Sequence, residues 1–334
     1  MNKIAFFILC LLLGSSFTAS SQKSKERVLI GIPEYVDPHS LLPEAQACLH
    51  INRKERTDNN IDDDGNGYVD DTYGIAFNDY YWLIPFVSNK KGIEYSYGVK
   101  NTSHGAYVAN TLVTVNPNVR LVFAEIPLYE YILDQYELRT LLRQQPQKAA
   151  NLFCDAFERS VHYMDSLGVK IIPIAWIWNL SFFKRFFGNS ISENCYVEWL
   201  KVFRARMDKI IAGHPHILFL MAAGNDSQDT RRNLTMHSMI KYPNALTVGA
   251  RDRNCQNRAY FSNYGPLVDV WAAGYITLDF SSKSRWLDKE EFWGTSAATP
   301  IAAAWAAYWF SQGLSMEEVV RRLKAADCLP PHIP

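Results

Sequence analysis

Gly294-Thr295-Ser296-Ala297-Ala298-Thr299-Pro300, running on through Ile301 to Phe310, places a serine at the mouth of a strongly apolar helix. The motif predicts Pro300 within the first helical turn, where a missing N–H has no intrahelical partner to lose. A hydroxyl at a helix N-terminus also lies at the positive end of the dipole, which favours negative charge forming beside it. Alone, such a serine is an ordinary helix cap. Working back along the chain, Met221-Ala222-Ala223-Gly224-Asn225 ends an apolar run on an amide that can donate to a developing oxyanion, or can serve a plain strand-to-turn junction. Earlier still, Ser103-His104-Gly105-Ala106-Tyr107-Val108-Ala109 carries a histidine able to act as a general base, followed by a glycine that permits close approach.

Between these segments, Val28 to Ile32, Val119 to Ile126, Val169 to Ile174, Ile217 to Ala222 and Ala245 to Ala250 read as buried strands. Ala149 to Leu167 and Tyr196 to Ala212 have helical spacing of apolar positions. Strand and helix alternating in this way predict an α/β fold, a parallel sheet with helices on both faces, with its chemistry in loops at the carboxyl ends of the strands. No repeat or linker divides the chain after its first residues, so residues 23–334 read as one domain with no evident propeptide.

In their order, HGxxVA, AAGN and GTSxATP resemble the subtilisin-like serine peptidases, the subtilases of peptidase family S8. Tyr242 to Ala250, Phe261-Ser262-Asn263-Tyr264-Gly265-Pro266 with Val268 to Gly274, and the closing Leu314 to Ala326 are similar to the same family, so the resemblance spans nearly the whole chain. It implies the three-layer subtilisin-like fold and a serine endopeptidase, a hydrolase of protein or peptide substrates that needs no cofactor for catalysis. Ser296 would be the nucleophile, His104 its base and Asn225 the oxyanion donor.

The family's orienting acid is less clear. Direct alignment of the first strand puts Ile32-Pro33-Glu34 where Asp-Ser/Thr-Gly belongs. Asp37 is the nearest aspartate, at a shifted register and without the glycine, and Glu34 is a candidate with a longer side chain; the acid is otherwise absent. Past the strand that lines the cleft, Ala175-Trp176-Ile177 in one register, or Asn179-Leu180-Ser181-Phe182-Phe183 in another, puts bulk where the family has glycine. These departures support a runner-up, a weak or inactive pseudo-peptidase that binds peptides or a protein partner through the same cleft.

Asn60-Ile61-Asp62-Asp63-Asp64-Gly65-Asn66-Gly67-Tyr68-Val69-Asp70-Asp71 suits a structural calcium, with Asn60, Asp62, Asp64, Asn66 and Asp71 as ligands. Its alternative is a solvated acidic turn, and no flanking helices are evident. Lys3, the apolar run Ile4 to Leu13 and the small residues after it predict a signal peptide over residues 1–22 and an exported protein, since ten apolar residues fall short of the roughly 20 needed to span a bilayer. Beyond Cys10, the five cysteines Cys48, Cys154, Cys195, Cys255 and Cys328 allow at most two disulfides. His214 and His216, split by Pro215, read as a surface turn. Lys plus Arg equals Asp plus Glu at 34 each, and no basic stripe interleaves with aromatics, which argues against nucleic acid as a partner.

Overall fold

The computed structural model describes residues 27–77, 83–85, 103–126, 136–231, 240–281 and 289–334. The expected signal peptide lies outside these residues.

Alternate residues of each strand feed separate cores on the two faces of one sheet. Val28, Ile30 and Ile32 of β1 (Val28–Ile32) join Leu121, Phe123, Leu220 and Val248 in one core. Val122 and Ala124, with Phe219 and Met221, point into the other. Both faces of the strands are apolar, the pattern of a sheet covered on both sides.

Seven strands run parallel in the order β2 (Gly74–Phe77), β4 (Val119–Glu125), β1, β5 (Ile171–Ile174), β6 (Leu218–Ala222), β7 (Ala245–Arg251) and β8 (Val270–Ala273), with β3 (Leu83–Pro85) antiparallel on the outer edge of β2. The strand nearest the N-terminus is thus central, and Ile30 sits opposite both Leu121 and Ile171. A two-stranded ribbon, β9 (Tyr275–Asp279) with β10 (Lys289–Trp293), stands apart from the sheet.

The expected helices form as α4 (Pro146–Ser166) and α6 (Glu193–Gly213), which cover one face. On the other lie α2 (His104–Val115) and α7 (Thr295–Ser311), the latter sheathed in alanine so that it can lie close against the strands, with α8 (Met316–Ala325) packed on it. Gly31 shows how tight the first face is, because a Cβ there would fall 2.1 Å from Met164 Sδ. Three elements carry no long periodic signal: α1 (Pro43–Ala47), α3 (Tyr136–Gln144) and α5 (Leu180–Phe187).

Cys255 and Cys328 form a disulfide that ties the loop after β7 to the C-terminal tail, where Leu329 bridges to Ala272 on the outer side of β8. Cys48 and Cys154 are buried thiols and Cys195 is half-buried. Burial pushes the Cys154 thiol up to about 12, so it is an inert core residue. The expected surface turn holds only for His216: His214, the C-cap of α6, is buried with its Nδ1 on Ile210 O, and both rings face Asp165. Among the described residues, no helix is long and apolar enough to cross a membrane.

Candidate active site

The site forms where the chain leaves β1 and crosses the start of α2. Ser103 caps α2 through Ala106 N–H, and the same hydroxyl accepts from Asp37 N–H at 2.8 Å. Two turns on, Asn110 accepts from Leu42 N–H at 2.8 Å and donates to Ser40 O at 3.0 Å. These bonds lay residues 34–42 across the helix N-terminus. Gly105 makes the crossing fit, since a Cβ there would fall 2.4 Å from Tyr35 O and 3.1 Å from Glu34 Cβ.

That crossing delivers Glu34 to His104. Glu34 is fully buried, and its Oε2 lies 2.6 Å from His104 Nδ1. Among the described residues, the other carboxylate oxygen has no hydrogen-bond partner. A carboxylate only accepts, so Nδ1 carries the proton and Nε2 is the ring's basic nitrogen. Asp37, the aspartate expected from the sequence, is elsewhere: its carboxylate accepts from His39 N–H at 3.0 Å and Ser40 Oγ at 2.7 Å, within its own turn. The acid beside the histidine is Glu34, the longer candidate, which direct alignment sets two residues past the position of the family's aspartate.

Ser296 is the second residue of α7, after Gly294, whose φ of 114° suits glycine alone. Thr295 fixes its neighbour across the cleft. Its N–H and Oγ1 both donate to Asn225 Oδ1, at 2.9 and 3.0 Å, so the Asn225 amide N–H group is turned outward. Its Oγ1 also accepts from Gly224 N–H at 3.2 Å. Ser296 Oγ donates to Ala175 O at 2.8 Å.

His104, Asn225 and Ser296 line one cavity of about 210 Å3, together with Trp176, Ile177, Trp178, Asn179, Phe182, Arg185 and Asp226. The structure therefore brings His104, Asn225 and Ser296 onto one cavity and places Glu34, not Asp37, beside His104. Phe292 of β10 places its ring edge-on to His104, with 5.8 Å between centroids, so the β9–β10 ribbon walls the histidine. On the opposite side Asn179 caps α5 and donates to Asp226 at 2.8 Å, holding that helix to the loop after β6.

In the acidic loop, Asp62 and Asp64 converge with Glu55, their oxygens within 4.8 Å of one another. Sequence spacing missed Glu55 because it precedes the loop. It is buried, and while its Oε1 accepts from Asp64 N–H, its Oε2 has no hydrogen-bond partner among the described residues. Asn66 and Asp71 join the same network, Asn66 Nδ2 donating to Asp71 Oδ2 at 2.9 Å. Asn60 enters only through its backbone N–H, which donates to Asp70. A buried carboxylate oxygen left unmatched beside two more carboxylates fits a cation with oxygen ligands.

The subtilase family model, Peptidase_S8, matches residues 94–325, well over half of the chain. The chain belongs to the subtilase family. The match begins after β1, so Glu34 falls outside it. Related subtilases include subtilisin-like protease 2 of Trichophyton verrucosum, 43% identical over 100 residues that make up 28% of this chain and 21% of the relative. The Trichophyton rubrum protein of that name is 42% identical over the same shares. The chain thus spans about a fifth of the length of the curated relatives it matches. Among solved structures, a lanthipeptide protease superposes with a TM-score of 0.53 at 15% identity, covering 89% of this subtilase and 79% of that chain, which shows the shared fold.

Proposed function

We propose that this subtilase is a serine endopeptidase in which Glu34, His104 and Ser296 form the catalytic relay and Asn225 the oxyanion donor. The observation that carries the reading is the 2.6 Å contact between buried Glu34 and His104, in a chain whose histidine shares a cavity with Ser296. The Ser296 hydroxyl turns from Ala175 O to His104 Nε2, gives up its proton there, and Oγ attacks the peptide carbonyl carbon. Asn225 donates to the oxygen as it gains charge. The C–N bond then breaks, the amine leaves with the proton from His104, and water repeats the sequence to free the acid.

Asn225→Ala should lower kcat on the order of 10²–10³-fold, with KM little changed, in a peptide-hydrolysis assay. Labelling of the purified protein with a fluorophosphonate probe, beside a Ser296→Ala control, tests the reading as a whole. Labelling lost in the control supports an activated serine. A folded protein that takes up no label would favour the second reading, a peptide-binding pseudo-peptidase, which is supported by the Ser296 proton's commitment to Ala175 O and the bulk of the cleft wall.

The Cys255–Cys328 disulfide supports export, because such bonds persist in oxidising compartments. Calcium at Glu55, Asp62 and Asp64 would neutralise a carboxylate cluster that, among the described residues, has no lysine or arginine ion-paired to it. Calcium at about 100 times its dissociation constant should stabilise the fold by about 2.7 kcal/mol. Thermal melts with calcium and with chelator measure that shift, and Glu55→Gln should abolish most of it. Identical melts would argue for a solvated turn.

A further inference from the structure

We infer that Ile177 restricts the residue supplying the scissile carbonyl to a very small side chain, glycine or alanine. The inference deepens the peptidase reading and rests on its assignment of Ser296 and Asn225.

The direction of attack fixes where that residue lies. Its carbonyl carbon must meet Ser296 Oγ while its oxygen faces Asn225. His104 stands on one side of this point, and α7 rises from another. The side chain on the attacked residue is left with the gap between the segment leaving β5, Ala175 to Asn179, and the loop leaving β6, Ala223 to Asp226. Both segments run past the last paired residues of their strands, Ile174 and Ala222.

Ile177 lies in that gap. Gly224 has φ of 101°, and a Cβ built on it would fall 2.8 Å from Ile177 Cδ1, so the isoleucine lies flat over the bare glycine. The glycine cannot retreat, because Asn263 Nδ2 would lie 2.5 Å from the same Cβ and donates to Ala223 O at 2.8 Å. Nor can the opposing wall, where Trp176 and Trp178 are buried among Phe153, Trp199 and Phe203. Close-packed walls of this kind do not expand to admit a larger group without strain. An aromatic or leucyl side chain therefore meets Ile177, whereas glycine or alanine stops short of it.

The test separates binding from catalysis. In a Ser296→Ala background, affinities are measured by fluorescence anisotropy for four labelled peptides that differ only in a C-terminal Gly, Ala, Leu or Phe. The expected result is that Gly and Ala bind at least tenfold tighter than Leu and Phe, and that Ile177→Gly tightens Phe at least tenfold. Ile177→Ala, which disturbs the backbone less, should show a smaller change in the same direction, with thermal melts reporting folding. Equal binding of all four peptides, or a Phe affinity that neither variant alters, would overturn the inference. Cleavage of the matching peptides by the Ser296 protein is recorded alongside: selective binding without cleavage sinks the peptidase reading and leaves the slot standing, while cleavage with no preference does the reverse.

Discussion

Glu34→Gln should lower kcat for peptide hydrolysis on the order of 10⁴-fold while KM and thermal stability change little. The amide is nearly the same size as the carboxylate, so the packing of β1 against α2 survives. What changes is the proton. Glu34 Oε2 accepts from His104 Nδ1 at 2.6 Å, and an amide that presents its N–H group there obliges Nδ1 to accept instead. The ring proton then sits on Nε2, which can no longer take one from Ser296. Glu34→Asp is the sharper test. It restores the acid that subtilases ordinarily carry, yet shortens the side chain by about 1.5 Å, one C–C bond. From the observed contact, that withdrawal exceeds hydrogen-bond reach. The aspartate should therefore be a poor substitute, at least tenfold down in kcat, and Asp37→Asn should stay within about threefold of the parent. A Glu34→Gln variant that turns over within tenfold of the parent would show that Glu34 does not orient the base.

Cys328→Ser should cost about 4 kcal/mol of folding stability, or about 10³ in the unfolding equilibrium. The bond closes a loop of sequence separation 73, and loop-closure entropy sets the size of the effect. The loss should be felt first at the tail. Leu329 donates to Trp271 O and accepts from Ala273 N–H, each at 2.9 Å, and Pro330 O receives the Trp305 indole N–H at 2.9 Å. Without the tether these contacts, the Arg251 Nε bond to Asp327 O and the burial of Leu329 hold the segment that covers the outer side of β8. Denaturant titration and hydrogen exchange at Leu329 measure both effects. A loss under about 1 kcal/mol would mean that the tail's hydrogen bonds already do the tethering.

Much of the site is legible in the sequence because its signals are local. Gly294 to Ser296 and Gly224-Asn225 each act through neighbours one or two residues away, so a short motif contains most of the geometry. The strands and long helices are legible for a related reason, since residues such as Val28, Ile30 and Ile32 announce their face by alternation. Glu34 is different. Its position against His104 depends on the path of residues 34–42, which Ser103 and Asn110 fix from far along the chain. No local rule separates it from Asp37, whose small side chain suits the turn it caps. Glu55 was hidden likewise, outside the spacing that flags a calcium loop. The bulk of Ile177 is visible in the sequence, but only the structure sets it over Gly224.

The strand order has a consequence for when activity can arise. Glu34 leaves the central strand of the sheet near one end of the chain, while Ser296 opens a helix near the other, and the first strand is flanked by β4 and β5, which come much later. Such distant pairings make assembly slow, because long loops must close before any contact repays them. On the proposed peptidase reading, a growing or partly threaded chain would hold no complete catalytic centre. Until the segment beginning at Gly294 has emerged and docked, the proposed nucleophile is missing; until β1 has been enclosed, the proposed base lacks its acid. The topology would then delay cutting until folding is nearly finished, a safeguard written into connectivity.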